Sequence, residues 1–201
     1  MKMNVNTLVK IAVLAALAFV FMLLEFSLPV FLPFLKFDIS EIPVLLAGFT
    51  LGPLAAVLVE FIKNFLHLFV SGSGGVGELA NFIMGVAFVV PASIIYRRHK
   101  SRLYAIIGLL TGIIMMSVVA AFVNYYVLVP FFAKLFHISL DTLISSGTSI
   151  NSSILDLKTL IVYGVIPFNL FKGFVVSLLI MLIYKKLSPI LHKESFRAKL
   201  K

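Results

Sequence analysis

Cysteine is absent from this 201-residue chain. Disulfides, thiolate metal sites and a cysteine nucleophile are therefore excluded. Charge is scarce: 12% of residues are Asp, Glu, Lys or Arg, against about 25% in soluble domains. Apolar residues make up 61%, and mean hydropathy is +1.13. A water-soluble domain, a disordered chain and a secreted disulfide scaffold do not have this composition. Acidic residues number 8 against 17 Lys and Arg, a net charge of +9. In a membrane chain that excess points to cytoplasmic loops and lipid headgroups, not to nucleic acid. Catalytic constellations are missing too. There is no His-x-x-x-His, no Asp pair at metal spacing and no G-x-S-x-G, which disfavours an embedded hydrolase. No G-x-x-x-x-G-K-[ST] occurs, so the chain carries no Walker ATP site of its own.

What the chain has is long apolar runs. A membrane helix needs about 20 mostly apolar residues. Blocks 8–26, 79–96, 103–130 and 159–184 qualify. A fifth, 42–70, is broken at Gly52-Pro53, where proline ends or kinks a helix. Lys and Arg concentrate in the loop 97–102, in the tail from Lys185 and near the start at Lys2 and Lys10. By the positive-inside rule both termini and that loop are cytoplasmic. The number of crossings before residue 97 must then be even. Block 42–70 therefore crosses twice or forms a re-entrant hairpin, with limbs 42–51 and 53–70. The first limb is only about 15 Å long at 1.5 Å per residue, so neighbouring helices must shelter it. The expected fold is all-α: a polytopic membrane protein in one compact bundle of six helices. Ala16-Leu17-Ala18 resembles a signal-peptidase site, but it lies within the apolar run, so a retained first helix is expected.

Three connections on the external face stand out. Residues 27–40 hold Pro29 and Pro33 but little charge, and an apolar loop of this kind packs over something, as a lid would. Residues 71–77 are glycine-rich. Their Gly72-x-Gly74-x-x-Gly77 pattern lacks the preceding strand and the later acidic residue of a dinucleotide site, so a turn is the better reading. Residues 131–158 form the longest connection.

Ionisable and amide residues inside the spans are costly, so they are paired or functional. Asn169 and Lys172 share one face of the last helix. They fit either a ligand-binding polar hand or an interhelix bond with a carboxylate partner for the lysine. Glu78, Asn81 and Gly85 line one face of another helix, as a site or as a helix cap, with Gly85 allowing a flat group to approach the backbone. Asn124 lies at about the height of Asn169. Glu60, Lys63, Asn64 and His67 form a stripe that reads as an internal ion pair in preference to a proton relay. Ala12, Ala15 and Ala16 make a small-residue face on the first helix, suited to close packing or to a docking partner.

The segments KFDISEIP, VEFIKNFLH, GGVGELANFIMG and IPFNLFKG, with the alanine-rich first helix, together resemble the substrate-binding S components of energy-coupling-factor (ECF) vitamin transporters. The riboflavin-specific branch is the most similar. The resemblance implies a membrane subunit that captures the vitamin outside and works with a T-type transmembrane protein and two cytoplasmic ATPases. It implies ligand contacts at Asn169 and Lys172, another at Asn124, and a closing loop at Leu35, Lys36, Phe37 and Asp38. Ala12 and Ala16 would face the T component. Riboflavin would be cargo, with no resident cofactor, in the plasma membrane. Its flat tricycle suits Phe, Leu and Gly85, and its imide and hydroxyls suit Asn side chains and Lys172. No external cluster of Arg is available to clamp a phosphate, which favours riboflavin over its phosphorylated forms.

Three rivals remain. Another vitamin is one, although Lys172 argues against a cation such as thiamine. A solitary ion-coupled carrier is the second, but only one broken block is present where such carriers show matched pairs. A membrane enzyme is the third.

Overall fold

The computed structural model describes residues 4–198, with side chains described as far as residue 183. Lys2 and the basic positions from Lys185 onward lie outside those limits. The first helix, α1 (Val5–Met22), is capped by Asn4, whose side chain accepts from the Thr7 amide. It ends four residues before the expected 26. Pro29 and Pro33 prevent helix from continuing, and the chain forms a small antiparallel ladder instead. Phe26 pairs with Phe37 and Ser27 with Lys36. The ladder turns the apolar loop into a hairpin within an otherwise helical fold.

The broken block forms α2 (Glu41–Thr50) and α3 (Pro53–His67). Gly52 between them has φ +116°, a conformation that L side chains rarely adopt, and Pro53 opens α3 where a missing N–H costs nothing. Eight residues of α2, from Glu41 to Gly48 and Phe49 with Leu46 excepted, are buried. Packing on every side is what lets so short a helix sit in the bundle.

Helix α4 (Val76–Arg98) and α5 (Arg102–Val123) are joined by the basic turn. The Arg97 guanidinium lies 3.5 Å from the Thr50 carbonyl oxygen, so this turn and the Gly52-Pro53 elbow share one end of the bundle. Gly108 and Gly112 on α5 meet the carbonyl oxygens of Ala92 and Phe88 on α4, with no room for a Cβ at either position. A π-helical turn (Asn124–Leu128) carries α5 into α6 (Val129–Leu135). The connection after 131 is not an open loop. It contains α7 (Leu140–Thr148) and the four-residue α8 (Leu157–Leu160), whose start Asp156 and Thr159 close with reciprocal bonds. Those bonds hold the exposed Asp156 carboxyl below its ordinary pKa. A second π turn (Ile161–Val165) leads into α9 (Ile166–Ala198).

Among the described residues, four stretches are long and apolar enough to cross a membrane: Val5–Met22, Val76–Arg98, Arg102–Leu135 and Leu157–Ile183. Helix α1 packs on α2 and α3, α4 on α3 and α5, and α9 on α5 and α2.

Because α4 and α5 touch through backbone at Gly112, Gly112→Val should destabilise the purified protein by about 1–3 kcal/mol. Thermal unfolding in detergent measures this. An unchanged melting temperature would show that the contact can relax without cost.

Candidate functional site

At the end of the bundle opposite the basic turn, the helices part around a cavity of about 450 Å³. Its apolar wall includes Met22, Phe34, Met84, Met116, Leu128, Phe132 and Phe168. Its polar wall includes Glu25, Glu41, Glu78, Asn81, Asn124, Asn169 and Lys172. A mostly apolar cavity of this size with a few fixed polar groups is the usual form of a small-molecule site.

Asn124 opens the first π turn, and Asn169 lies in α9 just past the second. Asn124 donates to the Ala120 carbonyl and Asn169 to the Val165 carbonyl, each at 2.9 Å. One N–H of each amide is thus tied to its own helix, and the amide plane is fixed. Such π turns recur where helices carry functional groups. Lys172 lines the cavity, and its ammonium is held by the Asp38 carboxylate at 2.7 Å. The carboxylate partner considered for this lysine is therefore present alongside its place at the cavity, and it comes from the stretch between the hairpin and α2.

Leu35 and Lys36 of the hairpin line the cavity, whereas Phe37 and Asp38 do not. Phe37 is buried edge-on against Phe26 and tilted against Phe171. Asp38 is turned back by Lys172 and by the Ser40 amide at 2.8 Å. Both residues fix the hairpin from behind.

Glu78, Asn81 and Gly85 all line the cavity. Glu78 accepts from Ser73 and bonds His67 Nδ1 at 2.7 Å, tying the glycine-rich turn to α3. The dinucleotide pattern in that turn has no strand before it, only α3. Gly85 also makes room for two carboxylates of the fold. The space a Cβ would take is filled by the carboxylates of Glu60 and Glu41, so its lack of a side chain accommodates them first.

The stripe on α3 forms an internal ion pair, joined by residues at the start of α2. Lys63, with no exposed surface, bonds Ser40 and Glu41 at 2.7 Å each and Glu60 at 3.0 Å. Asn64 donates to Glu60 at 2.9 Å. Sequence reasoning missed Glu41 as a cavity residue. The available signal was an acid inside the apolar run KFDISEIP, facing an intramembrane lysine. Glu25, beyond the end of α1, also lines the cavity. Burial pushes its carboxyl above the ordinary value, and His67 pulls against that shift.

Of the alanine face, Ala12 and Ala16 are exposed while Ala15 is buried at 1% exposure. Ala15 packs inside the bundle, whereas the face that remains open on α1 carries Ala12 and Ala16.

The family model described as ECF transporter, substrate-specific component, matches residues 6–184. The chain belongs to this family. This ECF substrate-specific component is 36% identical over 186 residues to riboflavin transporter RibU of Staphylococcus aureus, covering 92% of each chain. It is 34% identical over 195 residues to riboflavin transporter FmnP of Bacillus subtilis, covering 96% of this chain and 97% of that one. A solved structure, the S component of a bacterial ECF transporter, superposes with a TM-score of 0.75 at 35% identity, covering 92% of this chain and 97% of the other. The chain is a membrane transport subunit of the S-component fold and not an enzyme.

The Asp38–Lys172 pair should behave as a coupled unit. Lys172→Met alone leaves a buried carboxylate unpaired and should cost about 3–5 kcal/mol. The double variant Asp38→Asn/Lys172→Met should recover much of that loss in thermal unfolding. Simple addition of the two single losses would show that the pair is not coupled.

Proposed function

We propose that this S component is the riboflavin-binding subunit of an ECF importer. It captures the vitamin from the external side and delivers it with a T-type transmembrane protein and two cytoplasmic ATPases. The observation that carries this reading is the cavity itself: flat aromatic and aliphatic walls beside two fixed asparagine amides. An amide offers both donor and acceptor, as the alternating carbonyl, N–H and carbonyl of the flavin imide require. The riboflavin names of its relatives point the same way. Asn124, Asn169 and Lys172 are assigned to the ring edge. Glu78, Asn81, Gly85, Leu35 and Lys36 complete the wall. The carboxylates of Glu41 and Glu78 are engaged by Lys63 and His67, which favours a neutral ligand over a cation such as thiamine. Riboflavin is cargo here, not a resident cofactor.

In this reading the chain crosses the plasma membrane six times, with α2 and α3 counted as two limbs. The basic turn and both termini face the cytoplasm. The exposed Ala12 and Ala16 receive the T component, because small side chains let a second helix approach closely.

Riboflavin fluorescence, titrated with the detergent-purified protein, should quench to saturation. Asn169→Ala should weaken binding roughly five- to tenfold, the scale of one neutral hydrogen bond. A colourless protein that leaves the fluorescence unchanged would remove the riboflavin assignment. For the docking face, Ala16→Trp should retain riboflavin quenching but fail to co-purify with the T component and ATPases. Undiminished assembly would place the partner elsewhere.

A further inference from the structure

The charges around Lys63 do not balance. Asp38, Glu41 and Glu60 are all buried, and the ammonium groups they meet are those of Lys63 and Lys172. Asp38 matches Lys172. Lys63 is left with two carboxylates, Glu41 and Glu60. The same two carboxylates also converge on the space beside Gly85. Within this cluster several oxygens lack a donor. Glu41 Oε2 accepts no hydrogen bond among the described residues, and Glu60 Oε2 meets the ammonium only as a charge contact at 3.0 Å. The Asn64 side-chain oxygen is unpartnered as well. Asn64 is 4% exposed and donates its N–H to Glu60, so its amide stands at the same cluster.

An excess negative charge away from water is costly, and two carboxylates crowded into one site do not both stay ionised. We propose that Glu41 and Glu60 together bind one proton at neutral pH. The proton comes from solvent and forms one O–H bond, which leaves one carboxyl and one carboxylate beside Lys63. It brings the donor that the cluster lacks, and it belongs to the pair, not to either acid. The surrounding elements bring no further positive charge to the pair. From α4 come the neutral Asn81 and Gly85, and Glu78 on that helix is bonded to His67. From α9 comes Lys172, which Asp38 takes. Glu25 lies beyond the end of α1, and Lys10 of α1 is about three turns from that end. A metal cation fits less well, because it would stand against the Lys63 ammonium. Among the described residues no group of three His, Asp or Glu side chains could hold one. The proton site does not depend on which ligand fills the cavity.

Infrared spectra of the purified protein at neutral pH, in H2O and in D2O, test this. Wild type should show the carbonyl stretch of a protonated carboxyl. Glu41→Gln and Glu60→Gln should each lose intensity equal to one such group, because the remaining acid then pairs with Lys63 alone. Each single variant should melt within about 4 °C of wild type, since an amide copies the neutral acid. The double variant leaves Lys63 without a carboxylate and should melt lower by about 10 °C or more. No protonated carboxyl in wild type would overturn the proposal, and that measurement requires no variant to fold. Unchanged intensity in both single variants would also overturn it. So would a single variant that unfolds as readily as the double, since Lys63 would then need both charges. Replacing sodium by choline should leave the wild-type melting temperature unchanged. A sodium-dependent rise would show that a metal cation balances the charge instead.

Discussion

Lys63 has no contact with water, and the fold is arranged around that fact. An ammonium group buried in an apolar bundle is stable only when every N–H has an acceptor. Glu60 comes from its own helix, while Ser40 and Glu41 come from the start of α2. The lysine therefore fixes where α2 begins relative to α3. The residues just before α2 are fixed with it, and they include Asp38, which Lys172 grips from α9. Two buried lysines on two helices thus hold one stretch of four residues, 38 to 41. That stretch connects the hairpin to the cavity wall. The apolar packing of α1, α4 and α5 supplies the bulk of the bundle, but this polar knot decides where the site lies within it.

Much of this arrangement was legible in the residues. Gly52-Pro53 marked the elbow, and charge parity required two limbs around it. Glu78, Asn81 and Gly85 share a face by spacing alone, and all three line the cavity. What spacing cannot encode is which helix faces which. Asn169 and Lys172 could be placed on one face, but not opposite Asp38, 134 positions away in the chain. Glu41 was hidden for the same reason, because its partner Lys63 lies 22 positions on, across the elbow. Gly85 was read as a gap for a ligand, whereas the gap is filled by two carboxylates. A pattern reveals that a side chain is missing but not what takes its place. The hairpin strands, two residues each, are too short to carry any periodic signal.

The site also shows how a membrane protein divides its polar groups. Some are satisfied within the fold: Lys63 with its acceptors, His67 with Glu78, Asn64 with Glu60. Others stand at the cavity only partly satisfied. Asn124 and Asn169 each commit one N–H to a helix carbonyl and keep the remaining amide atoms for the cavity. The first group sets shape and the second sets chemistry. Lys172 belongs to both, since it anchors the hairpin and borders the cavity.

Helix α2 has a consequence beyond its own packing. Its ten residues span about 15 Å, half of what a bilayer requires. The hairpin leads directly into it, so the cover of the cavity and part of its wall are one continuous piece of chain. The far end of that piece is Gly52, where the Arg97 guanidinium leaves no room for a Cβ. One short stretch of chain therefore borders the cavity at one end, through Glu41, and the basic turn at the other.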